Sequence, residues 1–571
     1  MAVDVNELAR RYEALRTERS GWDAAWRSLA ELFLPCRWRS DTDTTAHQSP
    51  KLNGRLVNSA GVLAMRTLAA GMQGGMTSPV RPWFRLTTKG DDAAGMPGLN
   101  AWLEEVTTRM QRVLHESNFY NAVHGLYADL GTFGTGLLIE TADEDGIHFH
   151  LIRAGEYVLD VNGRNEVDTF FRRLNMTARQ IVDRWGEERV PDAVRNVARL
   201  AAGMQGGVVR FDVIHGVFPR RDAPGGLGGE NKPFASVYWL QAAGGSGKPC
   251  VLSEGGFDSF PAYAPRWDVN GADVYGRSPA MDVTPDCRML QAMTATLRKM
   301  QHKIADPPLA ADSSIKAFGV DITPGALNFV DMGRLTSAGA PIVPIQQPEP
   351  QALNYTMQGI QGVEKVINDG LYVDLFRMLI DDDRRQITAT EIQAKQQEKM
   401  ILIGPVVERL HKELLEPLII RTYMLMGQYG VLPPMPDGMH YAELDVAFES
   451  VLAQAQKLTA TSSIDQGMAF VVNAAQVAPD ALDMLDTDSM VKSYLDRVGM
   501  PEGCLRDEQT VRQIRQQKAR AQAAAQQQAE AALAAQQAVD MTAAAKNLGQ
   551  TPVGADGQTL MGTILGGLGA V

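Results

Sequence analysis

The sequence predicts an α+β chain that is mainly helical, and three observations carry that prediction. Apolar residues recur at helical spacing over long stretches, notably 5–33, 284–305, 351–380 and 387–426. Between 136 and 257 the pattern changes to short strand-forming runs separated by Gly, Asn and acidic turns. From Glu508 to Asn547 the chain is dominated by Ala and Gln, and alanine's helix propensity favours one long helix there over a disordered polar tract. With 571 residues, 45% hydrophobic and 21% charged, the chain is globular and large enough for several structural units.

The first helix is predicted from Leu8, Leu15, Trp22, Leu29 and Phe33, with Pro35 ending it. A polar loop at 40–50 precedes a second helix over about 54–73. Gly74-Gly75, Pro79 and Pro82 then turn the chain into a strand-like Trp83–Leu86, and a third helix is expected over about 98–132. Gly136–Thr141 and Ile147–Ile152 form a hairpin across the acidic turn Asp143–Gly146. Tyr157–Val161 and Val167–Arg173 form another around Asn162-Gly163. Thr177 and Gln180 make a capping box for a short helix that stops at Gly186. Three strand-like runs follow at 208–218, 234–242 and 250–257.

Thr284-Pro285 is predicted to open a helix carrying Leu290, Met293, Leu297, Met300 and Ile304 on one face, and Asp306-Pro307-Pro308 ends it. The proline-rich insert to about Pro350 is expected to be a small β-containing lobe. A helix from about Gln351 to Ile380 returns, weakened by Gly359, Gly362 and Gly370. After the charge run Asp381–Arg385, Thr388 and Glu391 form a capping box for a helix of roughly 60 Å, from Ile387 to Met426. Its first half is polar all round, including Gln393, Lys395, Gln396 and Lys399. Its second half carries an apolar stripe, Ile403, Val407, Leu410, Leu414 and Leu418. Gly404-Pro405 lies at the join and predicts a kink, because Pro405 donates no backbone bond and crowds the carbonyl of Ile401. LPPMPDG after Gly430 is a linker, 441–500 is expected to be largely helical, and the Gly-rich tail from Thr551 mobile.

The chemistry of a catalyst is missing. AGGSGKP at 243–249 lacks the first glycine of a phosphate loop, where Ala242 stands, and its final Ser/Thr, where Pro249 stands. Gly131, Gly134 and Gly136 run in the reverse order of a dinucleotide fingerprint and precede a strand, so they are turn glycines. His148 and His150 share a strand face but have no third ligand at a suggestive spacing. No catalytic residue, metal site or cofactor is expected, and a structural or assembly role is. Cys36, Cys250, Cys287 and Cys504 are widely spaced and make neither a metal pair nor a disulfide framework, which fits a reducing compartment. No apolar run of about 18 residues is free of charge, and the charged N-terminus has no secretory core, so no membrane partner is expected. The net charge of −12 and pI near 5.4 exclude a large basic surface that would hold nucleic acid tightly.

Several short stretches together resemble the portal, or head-to-tail connector, proteins of short-tailed bacteriophages. They are Asn58–Gly61 through Leu68–Gly71, Met76–Pro79, Arg81–Leu86, Phe133–Gly136, Tyr275–Ala280, Pro324–Asn328 and Thr388–Glu391, spread in order over roughly 5–430. The resemblance implies a ring of about twelve copies at one capsid vertex, with closed symmetry. Duplex DNA would pass through it without sequence specificity during packaging and ejection. The large terminase, the tail adaptor, and capsid and scaffold proteins would be its partners, in the virion and, during assembly, the host cytoplasm. It also names the pieces: 1–280 a wing, 281–305 and 351–380 stem helices, 306–350 a clip, 381–387 a tunnel loop, 388–430 the kinked tunnel helix, 431–500 a crown, and 501–550 a barrel helix. Arg384, Arg385, Gln386, Lys395 and Lys399 would face the DNA channel, although Arg384 and Arg385 can equally pair with Asp381–Asp383. The alternatives are another phage structural or scaffold component, which a solid, non-annular assembly would favour, and a nucleic-acid enzyme, which nucleotide hydrolysis would favour.

Overall fold

In the computed structural model the described residues are 4–35, 37–38, 56–88, 99–201, 209–220, 228–241, 249–306, 309–311, 342–344, 350–380, 402–434, 444–449, 471, 486, 489–491 and 508–550. They form two units, divided after Met484.

The first unit mixes helices and antiparallel sheets. Helix α1 (Val5–Phe33) is capped by Asp4, whose carboxylate accepts from the Asn6 N–H, and ends before Pro35 as expected. Helix α2 (Ala60–Met76) runs through Gly74-Gly75 instead of turning there, because Gly75 and Met76 are buried in the core. Strand β1 (Phe84–Thr88) follows. The expected single third helix is two, α3 (Leu99–Glu116) and α4 (Phe119–Phe133). Ser117 and Asn118 break it: Ser117 Oγ accepts the Phe119 N–H, and the Asn118 carboxamide clamps both backbone groups of Phe149 at 2.7 and 2.8 Å.

Strands β2 (Leu137–Asp143) and β3 (Gly146–Ile152) form the first expected hairpin, and β4 (Tyr157–Val161) and β5 (Val167–Thr177) the second. The capping box at Thr177 and Gln180 opens α5 (Ala178–Trp185), which stops at Gly186. Helix α6 (Asp192–Ala201) had no counterpart in the sequence reading. Strands β6 (Arg210–Pro219), β7 (Phe234–Leu240) and β8 (Cys250–Phe257) complete a five-stranded antiparallel sheet in the order β4-β5-β6-β7-β8. Strand β9 (Ala262–Tyr263) joins β2 and β3 in a second sheet, order β3-β2-β9. Alternation along the five strands splits their side chains between two faces. One face packs Phe171, Ile214, Val237 and Trp239 against Leu8, Tyr12 and Leu15 of α1. Part of the other face packs Val213, Leu240 and Leu252 against Ile181 of α5 and Val194 of α6.

Helix α7 (Pro279–Ala305) begins earlier than Thr284-Pro285. Ser278 is the cap, accepting from the Met281 N–H while donating to the Thr132 carbonyl, and Pro279 takes the first helical position. Pro285 therefore lies inside the helix, and Thr284 donates its hydroxyl back to Ala280. Strands β10 (Leu309–Ala311) and β11 (Ile342–Pro344) pair antiparallel, in line with a β-containing insert. The return is again two helices, α8 (Pro350–Gly370) and α9 (Val373–Ile380), broken at Tyr372, which has φ +56°. The next helix, α10, covers 402–428 and contains a π-helical turn at His411–Leu415. Strand β12 (Leu444–Phe448) corrects the expectation of helix from 441: it pairs antiparallel with β1, Phe84 opposite Phe448. Strand β12 thus packs with the elements around α3, and the Trp102 indole N–H of α3 donates to the Pro433 carbonyl at 3.4 Å. The second unit is described chiefly by α11 (Glu508–Gln550), a 43-residue helix as expected, along which Leu533, Val539 and Met541 are exposed.

Candidate functional site: a helix pair and a pinned helix

The predicted channel residues Arg384, Arg385, Gln386, Lys395 and Lys399 lie outside the described residues, as does the capping box at Thr388 and Glu391. Gly404 and Pro405 are described. The chain is α-helical through both, and the carbonyl that Pro405 would crowd, that of Ile401, is outside the described residues. The irregularity in α10 lies further on, at His411–Leu415, where the Glu416 N–H reaches back to the His411 carbonyl. Pro417 explains it: its ring crowds the carbonyl of Glu413 and it has no N–H to offer, so the turn before it widens.

The apolar stripe of α10 behaves as read. Ile403, Val407, Leu410, Leu414 and Leu418 are fully buried. Two ion pairs pin the same helix to the sheets. Glu413 binds Arg266, whose side chain is 4% exposed, accepting from its backbone N–H at 2.9 Å and its guanidinium at 2.8 Å. Arg266 also donates to the carbonyl of Asn165, which sits at φ +61° in the β4–β5 turn. Eight residues on, Arg421 lies 3.6 Å from the buried Glu140 of β2 and donates to the Ser259 carbonyl at 2.9 Å. Glu140 accepts from the Tyr263 hydroxyl and, at 2.9 Å, from Thr422. Burial pushes the Glu140 carboxyl up to about 7, against the pull of Tyr263, Arg421 and Thr422. The His411 ring stacks on Phe448 at 4.1 Å, and burial lowers its pKa to about 4, so it is neutral at pH 7. The sequence reading missed these anchors. Their signal was there: Glu140 is the lone carboxylate in the apolar strand LLIET, and Glu413 and Arg421 interrupt the buried turns of α10.

Helices α7 and α8 pack side by side, joined by the insert that holds β10 and β11. Asn58, just ahead of α2, ties them at one level, donating to Glu364 of α8 at 3.1 Å and Thr294 of α7 at 3.3 Å. Gln291 of α7 in turn accepts from the backbone N–H groups of Val57 and Asn58. The approach is close enough that a Cβ at Gly370 would meet Val283 at 2.4 Å.

Two of the motif stretches quoted above, Phe133–Gly136 and Tyr275–Ala280, meet at the start of α7. Thr135 Oγ1 accepts from the Gly276 N–H at 2.7 Å, Ser278 caps α7 against Thr132, and the Trp26 indole N–H reaches the Phe133 carbonyl. Gly131 faces Met65 and Leu68 of α2. Of the three glycines read as turn residues, Gly134 ends α4 at φ +79° as expected, whereas Gly131 lies inside α4, where its lack of a side chain admits Met65 and Leu68. Among the described residues no group of three or more His, Cys, Asp or Glu side chains could hold a metal ion. His148 is engaged with Asp143 at 3.0 Å. Among the described helices none is long and apolar enough to cross a membrane. What this arrangement offers is mechanical: two coupled helices joined through the segment that holds the β10–β11 pair, and a helix pinned to the sheets by ion pairs.

Residues 5–505 match the model of a family described as bacteriophage head to tail connecting protein. Over 525 residues the chain is 36% identical to the probable portal protein of Bordetella phage BPP-1, covering 91% of this chain and 92% of that one. It is 34% identical over 529 residues to the portal protein of Salmonella phage epsilon15, covering 92% of each. A chain from the virion of a native gene transfer agent particle aligns over 73% of this chain and 86% of its own at a TM-score of 0.31 and 11% identity, too slight a likeness to bear on the fold.

Proposed function

The chain belongs to the bacteriophage head-to-tail connecting protein family, and from that premise we propose that it is a portal subunit, assembling into a ring of about twelve copies at one capsid vertex. The observation that carries this reading is the near-full-length match to two portal proteins. The coupled pair α7 and α8 supports it. A ring subunit that transmits load between a capsid and a docked machine needs stiff elements anchored at defined levels, and Asn58 supplies one such anchor.

In this reading α7, with α8 and α9, forms the stem, and 306–350 forms the clip that meets the packaging terminase and later the tail adaptor. Residues 381–387 form the tunnel loop, 388–430 the tunnel helix, and the sheets with α1–α6 the wing. The crown, expected over 431–500, then starts after β12, because β12 pairs with β1 and the Pro433 carbonyl accepts from Trp102 of α3. Residues 501–550 supply a helical barrel. Electron microscopy of the purified full-length protein, with its mass in solution, tests the proposal. Rings with an axial opening wide enough for duplex DNA are expected. If the chain stays monomeric both alone and with its scaffold and shell proteins, the proposal fails.

A further inference from the structure

A second site lies on the face of the five-stranded sheet that α5 and α6 only partly cover. Its centre is Tyr238 on β7, flanked by Arg172 on β5 and Arg184 on α5. Arg172 is mostly buried, yet its partners are neutral: its Nε donates to His215 Nδ1 at 3.0 Å, and it hydrogen-bonds the Tyr238 hydroxyl. With Nδ1 accepting, His215 carries its proton on Nε2 and donates it to Ser236 Oγ at 3.0 Å, so the ring is neutral. A buried guanidinium is ordinarily matched by a carboxylate. Here the carboxylate acting on Arg172 is Glu156, which acts through charge alone and more weakly than Tyr238.

Arg184, which is exposed, adds a second cation at the same place. Its guanidinium lies 5.1 Å from the ring centroids of both Tyr238 and Trp185, and it donates to the Tyr238 hydroxyl at 3.4 Å. A phenol oxygen that accepts from two guanidiniums has its own O–H left to donate. The exposed His150 on β3 stands close enough that, after burial, both arginines hold its pKa below the usual histidine range. The β7–β8 register slips between Tyr238 and Trp239, a bulge of the kind that re-aims side chains beside sites.

We propose that Arg172, Arg184 and the Tyr238 hydroxyl form a recessed oxyanion site that receives a carboxylate from an acidic segment of a partner protein. Two forked guanidiniums match a carboxylate bidentately. A side chain can reach past Arg184 to the mostly buried Arg172, whereas a duplex presents its phosphates on a broad convex surface. The net charge of −12 also disfavours DNA over most of the molecule.

The test is calorimetric titration of the full-length protein with a short polyglutamate peptide, with inorganic phosphate and with a short DNA duplex. The peptide is expected to bind, and Arg184→Ala to weaken it about tenfold or more, the loss of a charge-assisted contact. Arg179→Ala, an exposed arginine on the same helix, is expected to leave binding unchanged. Peptide binding indifferent to Arg184→Ala, or equally lost in Arg179→Ala, overturns the site. Arg184-dependent binding of phosphate or DNA without the peptide overturns the assignment to a protein partner.

Discussion

Gly134 is held at φ +79°, and a Cβ there would lie 2.1 Å from the Gly276 carbonyl oxygen. Both the backbone angle and the space exclude a side chain, since neighbouring backbone cannot yield as a flexible side chain can. Gly134→Ala should therefore cost at least about 2 kcal/mol. Gly163→Ala, with nothing within 4 Å, should be near neutral. Denaturant midpoints of the two variants check the contrast. Glu140 makes a different prediction. Its carboxyl rises from an ordinary 4.5 to about 7 because burial outweighs its hydrogen bonds. Between those values the folded chain keeps a proton that the unfolded chain has released. The stability linked to this group is full below about pH 4.5 and is lost as pH rises through about 7, on the order of 3 kcal/mol in all. Glu140→Gln should flatten that decline, because an amide does not titrate. Unfolding midpoints measured across the range test it, and an unchanged slope would assign the decline to another group.

Among the elements, legibility followed the range of the interaction that decides each one. The two hairpins, the capping box at Thr177 and Gln180, the end of α1 before Pro35 and the buried stripe from Ile403 to Leu418 depend on neighbours in sequence, and all were readable. Strand β12 was not, because 444–448 becomes a strand only by pairing with 84–88. The break at Asn118 was hidden for the same reason, since its partner is Phe149. At α7 a plausible local cap, Thr284-Pro285, lost to Ser278, whose hydroxyl also reaches Thr132. Of the candidate site, the helix pair and the apolar stripe were legible, while Glu140–Arg421 and Arg266–Glu413 were not, because each pairs residues far apart in the chain. The α7–α8 pair also shows that its glycines are unequal. Gly362 has nothing within 4 Å, so Gly362→Ala should stabilise α8 by up to about 1 kcal/mol. Gly370→Ala would press on the buried Val283 and should destabilise by about 1–3 kcal/mol. Thermal unfolding of the two single variants should therefore shift in opposite directions.

For the molecule as a whole, charge sets the terms on which DNA could pass. A channel that gripped every phosphate would stall its cargo, because each neutralised phosphate adds affinity. In the proposed portal, a chain of net charge −12 would avoid that by presenting a mostly repulsive wall, on which a few cations make weak contacts that are easily exchanged. There, Arg384 and Arg385 are those cations, next to Asp381–Asp383, which can compete for them. The competition makes the prediction sharp. If the arginines serve only to neutralise the three aspartates, replacing both by Ala leaves genome packaging untouched. If they contact DNA, the Arg384→Ala, Arg385→Ala double variant still forms rings of normal mass, because α7, α8 and α10 keep their anchors. It then packages or retains less DNA, and the defect deepens as added salt screens the remaining contacts. Packaged-DNA yield per assembled particle, measured at two salt concentrations, separates the two, and an unchanged yield removes these arginines from the channel.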